Sequence, residues 1–309
     1  MSAEEEALTP RFTLRAAART LELGAAPRLM GVVNATPDSF SDAGTARTLD
    51  ERVALAERLL ADGADIIDIG GESGVTNRPP VDAGEEIGRV VPLIERVAGE
   101  LGALVSVDTY KPAVAEAAIE AGASIVNDVS GLRDPALADV CARTGAALVV
   151  MHTRAAPKQR LQDPGLYDDV RGDVAAFLRE RMAVAVERGV GEEQIVLDPG
   201  PDFAKTPAQT IALLRDLDAL HELGRPLLLA ISRKDFIGAV TRRRPCERLA
   251  GTLAALAHGA DRGAHIFRVH DVREAADFLA IRAVLRGDAD VPEDLALTED
   301  IRLEPRKPH

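Results

Sequence analysis

The chain has no tryptophan and only two cysteines among its 309 residues. Cys141 and Cys246 are far apart and both fall in helix-like segments, which argues against a disulfide framework and against a cysteine-built metal site. No run of about 18 apolar residues offers a membrane span. The acidic opening MSAEEEALTP lacks the basic-then-apolar pattern of a signal peptide. A cytoplasmic protein without a membrane partner is expected. Positive charge is short too: 37 basic residues against 50 acidic ones leave a net charge of −13. That balance excludes the basic footprint that nucleic-acid phosphates require. Asparagine occurs only at 34, 77 and 127, and lysine only at 111, 158, 205, 234 and 307, while arginine and alanine dominate. In so biased a sequence, each retained Asn or Lys is read as answering a chemical demand.

What the chain does contain is a recurring unit. Short apolar runs predict strands at Leu29–Val33, Ile66–Ile69, Leu104–Val107, Ile125–Asn127, Ala147–Val150, Ile195–Leu197, Leu227–Ile231 and Ile266–Val269. Between them, helical patterns predict helices at Asp50–Ala61, Asp82–Gly99, Ala113–Ala121, Pro135–Thr144, Val170–Arg188, Pro207–Leu223, Arg248–Arg262 and Val272–Leu285. Gly63, Gly122, Gly145 and Gly263 each stand where a helix must end before the next strand. Eight β-then-α units with right-handed crossovers close into a single-domain α/β fold, the (β/α)8 or TIM barrel. The barrel is placed at 29–287. Residues 1–28, with little periodicity, read as an N-terminal extension, and 288–309 as a solvated C-terminal tail.

In such a barrel a site is built at the carboxyl ends of the strands. The segments there are unusually polar: Asn34 through Gly44, Gly70 through Pro80, Asp108 through Pro112, Asn127-Asp128, Met151 through Arg154, Asp198 through Lys205, Ser232 through Gly238, and Arg268 through Asp271. All three asparagines and three of the five lysines fall in them. Taken singly, Asp108, Asp198 and Asp271 are as easily helix caps or turn formers. Asn127 is as easily a satisfied buried amide, and His152 or His270 a core residue. Asp50, Asp82 and Asp134 are read only as caps. Caps alone would not require Asn34, Lys234, Arg268 and His270 together, so the constellation carries the inference.

The blocks MGVVNATPDSFSDAG, ADIIDIGGES, VSVDTYKP, IVNDVSG, VLDPG, SRKDFIG and RVHDV, in this order over about residues 29–272, resemble the signature segments of dihydropteroate synthases. The resemblance implies condensation of 6-hydroxymethyl-7,8-dihydropterin diphosphate with 4-aminobenzoate, giving 7,8-dihydropteroate for folate synthesis. It implies that Asp108, Asn127, Asp198 and Lys234 hold the pterin, and that Arg268 and His270 stabilise the departing diphosphate. Asn34 would ligate a Mg2+ that arrives with the diphosphate. Asp42 of the first loop would stabilise the positive carbon, while Arg78, Pro79, Phe203 and the residue at 235 would bound the 4-aminobenzoate pocket. A homodimer is also implied.

This chain departs from the family pattern in four places. Loop two, usually GGESTRPG, carries Gly74-Val75-Thr76-Asn77 before Arg78-Pro79-Pro80, and MHMRG becomes Met151 through Ala155. The family's DPGIGFGK becomes a segment with Pro201, Asp202 and Ala204 around Phe203. Asp235 replaces a serine that receives the 4-aminobenzoate carboxylate. Asp235 either repels that carboxylate or caps the following helix and points away, with Arg233 or Arg78 as its neutralising cation. A divergent pterin-binding paralogue, with another amine or with no catalysis, is the alternative these departures leave open.

Overall fold

The computed structural model describes residues 10–24, 26–36, 48–74, 79–298 and 301–302. A hairpin of β1 (Phe12–Ala16) and β2 (Arg19–Leu23) comes first. Alternating units follow: β3 (Arg28–Asn34) and α1 (Leu49–Ala61), β4 (Ile66–Gly70) and α2 (Ala83–Gly99), β5 (Val105–Asp108) and α3 (Pro112–Glu120), β6 (Ile125–Asp128) and α4 (Ala136–Thr144), β7 (Ala147–Met151) and α5 (Val170–Glu187). Then come β8 (Ile195–Asp198), α6 (Pro207–Leu214) and α7 (Asp218–His221), β9 (Leu228–Leu229), α8 (Asp235–Thr241) and α9 (Leu249–Asp261), and finally β10 (Ile266–Val269) and α10 (Val272–Arg286).

Strands β3 to β10 run parallel in the order β8-β7-β6-β5-β4-β3-β10-β9, and a parallel bridge between Leu197 and Leu227 joins the two ends. The ring is closed, which is the expected TIM barrel. Helix ends follow local chemistry. Gly145 takes the left-handed conformation, φ 77°, and its N–H donates to the Cys141 carbonyl at 2.9 Å, terminating α4. The single helix expected over Pro207–Leu223 is divided, because the Asp216 carboxylate accepts the Asp218 amide at 3.0 Å and starts a second turn there.

Period-two alternation sorts the strand residues into two layers. Outward-facing Ile67, Ile69, Val105, Val107, Leu148 and Val150 pack beneath the helices. Inward-facing Met30, Ile66, Ile125, Val196, Leu228 and Ile266 form a second cluster inside the ring. That inner cluster is completed by Leu14, Ala16 and Leu23 of the hairpin, all buried. Within the N-terminal extension, Phe12–Leu23 thus form part of the barrel's packing: FTLRA and RTLEL alternate in the strand period and plug the amino-terminal end of the barrel. At the other terminus, α10 ends at Gly287, φ 79°, and the chain is exposed from there through Thr298.

Candidate active site at the carboxyl ends of the strands

Moving two residues along the inward rows changes the chemistry. Ile66 gives way to Asp68, Ile125 to Asn127, and Ile266 to Arg268. Sheet register then sets Asp108 beside both Gly70 and Asn127, and Asp198 beside Met151. Across the ring, the Arg268 guanidinium donates from Nε to Asp68 Oδ2 at 2.6 Å and from Nη2 to Asp108 Oδ2 at 3.0 Å. Asn127 Nδ2 lies 3.4 Å from the same Asp68 oxygen. Asp68 is fully buried, and its Oδ1 has no hydrogen-bond partner among the described residues. It was not singled out from the sequence, although its place two residues after inward-facing Ile66 is a signal that alternation alone provides.

Burial dominates the electrostatics here. Desolvation, against the attraction of Arg268, pushes Asp108 up to about 7. Desolvation likewise lifts Asp198 to about 6, although its Oδ1 accepts the Gly200 amide at 2.7 Å. Lys234 is pulled below its ordinary value by burial, which its neighbours Asp202 and Asp198 oppose. Its Nζ stands 4.2 Å from the centroid of the Phe203 ring. His270 is pushed down to about 3 by burial and by the nearby Arg268 and Arg233, so it is neutral in this structure. The Ser232 hydroxyl accepts the His270 amide at 3.3 Å and stands 3.0 Å from Nδ1.

Two lysine networks, one buried and one half-buried, hold the loops, and neither was assigned from the sequence. Lys205, fully buried, donates from Nζ to His152 Nδ1 at 2.8 Å and to the carbonyls of Gly200 and Phe203 at 2.9 and 3.0 Å. Burial pushes Lys205 down to about 7, and burial together with Lys205 pushes His152 to about 2, so His152 is a neutral acceptor. Gly200 is required at this point, because a Cβ there would lie 2.1 Å from the His152 carbonyl. The second network roots loop two: Glu72 meets Lys111 at 2.6 Å and Lys158 at 2.9 Å, and Lys111 also donates to the Val81 carbonyl at 2.7 Å.

Asn34 ends β3 opposite Gly70, between β10 and β4. Pro79 is exposed at the far shoulder of loop two. Asp42 and Arg78 lie outside the described residues. Asp235 behaves as neither expectation in full. Its side chain is 62% exposed and takes Arg248 Nη1 at 3.2 Å, while Arg233 is committed to Asp271 through two bonds of 2.5 and 3.1 Å. The first amides of α8 are capped by Asp202, whose Oδ2 accepts from Asp235 N at 2.6 Å and Phe236 N at 3.3 Å. Among the anticipated caps, Asp82 and Asp134 accept helix-start amides, whereas α1 is capped by Thr48 rather than Asp50.

A groove of about 480 Å3 opens beside this centre, between the β6–α4 loop and α5. Its arginines are engaged: Arg154 with Asp173, Arg181 with Glu180, and Arg133 with the Arg154 carbonyl at 3.1 Å. The centre inside the ring, where a buried carboxylate oxygen lacks a partner among the described residues, is the better candidate for a polar ligand.

Residues 30–270 match the family model described as pterin binding enzyme. A dihydropteroate synthase of Bacillus subtilis is 46% identical over 249 residues, covering 80% of this chain and 85% of that protein. Among solved structures, Xanthomonas albilineans dihydropteroate synthase with 4-aminobenzoic acid superposes with a TM-score of 0.82 at 42% identity, covering 92% of this chain and all of that one. The same enzyme in complex with 7,8-dihydropteroate gives 0.79 at 41% identity, again over 92% of this chain and 100% of the other.

Proposed function

The chain belongs to the pterin-binding enzyme family, as a dihydropteroate synthase, and from that premise we propose how its rim joins 6-hydroxymethyl-7,8-dihydropterin diphosphate to 4-aminobenzoate. The observation that carries the assignment of roles is the meeting of Asp68, Asp108, Asn127 and Arg268 inside one ring, with Asp198 and Lys234 beside them. A pterin presents a guanidine-like edge of N–H donors. Asp108 and Asp198, ionised, and the Asn127 amide accept from and donate to that edge, while Lys234 donates to the ring's acceptor atoms.

The reaction breaks the bond between the methylene carbon and the diphosphate oxygen and forms a carbon–nitrogen bond; the amine then releases one proton. Charge grows on the leaving diphosphate, so donors aimed at it act more strongly in the transition state than in the ground state. Arg268 and His270 fill that role. Arg268 now spends one bond on Asp108, and binding of the pterin to Asp108 frees that donor for the diphosphate while Asp68 keeps the guanidinium in place. By the family pattern Asp42 would stabilise the positive carbon, and Arg78, Pro79 and Phe203 would enclose the aromatic amine. Asp235 takes no part, since Arg248 holds it at the surface.

No group of three or more His, Cys, Asp or Glu suited to a metal occurs among the described residues. That fits an ion arriving with diphosphate and water as its main ligands and taking one protein oxygen, from Asn34. Mg2+ so held would neutralise diphosphate oxygens. No described helix is long and apolar enough to cross a membrane, and we place the enzyme in the cytoplasm. A homodimer is supported by the apolar residues that α10 leaves exposed, Ile281 and Leu285; sedimentation at micromolar concentration tests it. The synthase reaction is tested by diphosphate release from the pterin substrate with and without 4-aminobenzoate. Release that depends on 4-aminobenzoate supports these roles, and pterin binding without turnover rejects them in favour of a non-catalytic relative.

A further inference from the structure

The segment between β8 and α6 carries this chain's own residues Pro201, Asp202 and Ala204, and it is wound tightly. Gly200, Asp202 and Ala204 all lie in the left-handed region, with φ of 64°, 66° and 50°. Two of these are L-residues in a conformation that glycine adopts at least cost. Strain of this kind persists where the surroundings over-determine it, and at Asp202 they do. Its amide donates to Thr210 Oγ1 at 3.1 Å, and its Oδ2 accepts the amides of Asp235 and Phe236. Oδ1 is buried without a partner among the described residues, so Oδ2 alone fastens the loop to the start of α8.

The two fastened segments each carry a site residue next to the fastening. Phe203 follows Asp202, and Lys234 precedes Asp235. Where the segments meet, the Lys234 ammonium stands 4.2 Å from the Phe203 ring centroid. Lys234 itself makes no side-chain cap bond to α8. The bonds to Asp202 Oδ2 therefore tie the loop that carries the aromatic wall to the helix that follows the lysine.

We propose that Asp202 is a positioning residue that sets the spacing between Phe203 and Lys234, and with it the fit of the aromatic amine against the pterin. The proposal rests on the synthase reading above. The Lys234 end is held independently, since Arg248 donates to the carbonyls of Arg233 and Lys234 at 2.8 and 3.1 Å, so releasing the link frees Phe203 on the amine side and leaves the pterin contacts of Asp108, Asn127 and Lys234 in place.

The full-length enzyme is compared with Asp202→Gly and Asp202→Asn by diphosphate release, varying 4-aminobenzoate and pterin diphosphate separately. Glycine suits the left-handed backbone but removes the fastening; asparagine tolerates the same backbone and keeps an acceptor oxygen. Asp202→Gly is expected to raise KM for 4-aminobenzoate by about tenfold with KM for pterin diphosphate within about twofold. Asp202→Asn should stay near wild type. An unchanged KM for 4-aminobenzoate in Asp202→Gly overturns the proposal. So does a lowered one, which would make Asp202 a mere repellent of the substrate carboxylate, and so does an asparagine variant as impaired as the glycine one. Wild-type enzyme that releases no diphosphate with 4-aminobenzoate would sink the synthase reading first, an outcome distinct from all three.

Discussion

The two ends of the barrel interior are lined by the same strands and obey opposite rules. At the amino-terminal end Met30, Ile66, Ile125 and Ile266 meet a plug of Leu14, Ala16 and Leu23. One inward step later, about 7 Å along a strand, the lining is Asp68, Asn127 and Arg268, joined by Asp108 and Asp198. The first end gains from excluding water. The second end bears the desolvation of Asp108, Asp198 and Lys234, which burial pushes away from their charged forms. The apolar end supports a polar end that is poorly suited to its own stability, and that division follows the general conflict between stability and function in active sites.

The comparison breaks if function and stability do not separate under mutation. Removing the ammonium in Lys234→Ala should lower diphosphate release by about 10²- to 10³-fold, with a melting temperature little changed; retained turnover would remove Lys234 from the site. At the opposite end, Leu23→Ala should cost about 2–5 kcal/mol in denaturant unfolding, while kcat of the folded enzyme stays within about twofold. If kcat collapsed as well, the plug would be part of the site. Asp68→Asn tests the link between them: with Arg268 less firmly held, turnover should fall about tenfold, without loss of the fold.

The titration of the rim sharpens the comparison further. Asp108 and Asp198 must be ionised to accept from the pterin, so pterin affinity should fall as pH drops through about 7 to 6. Folding stability should move the other way. Both carboxylates bind protons more tightly folded than unfolded, so their contribution is fully present below the ordinary value of 3.8 and is lost as pH rises through about 6 to 7. Calorimetric titrations and melting curves at pH 5.5 and 8 check both signs, and a parallel change of affinity and stability would contradict the model. The smallest effect is expected from Asp235→Ser: exposed and paired with Arg248, Asp235 should alter KM for 4-aminobenzoate by less than about twofold.

Most of the barrel was legible because each buried parallel strand is a short apolar run between helices; Asn34, Asp108, Asn127, Asp198 and Lys234 follow or end such runs, and Arg268 was read with the polar RVHD block that closes the last one. Asp68 was not singled out because it lies inside one, flanked by isoleucines whose side chains face both layers. The hairpin was passed over because its strands are short and half polar, so their meaning appears only when the barrel end that they cover exists. Asp235 looked like the decisive departure, being nearest in sequence to Lys234. Its neighbour across space, Asp202, is the residue that holds the α8 amides.

The order of units, the closure into eight strands and the side of the barrel that carries polarity were determined by the sequence, because periodicity and turn chemistry act over a few residues. Which cation each carboxylate meets was decided only by the tertiary structure. Arg268 reaches Asp68 from 200 positions away, Lys158 reaches Glu72, and Asp202 reaches α8. Such partners are set by the curvature of the closed sheet and by burial, which raises the energetic weight of every pairing and has no local signature in the chain.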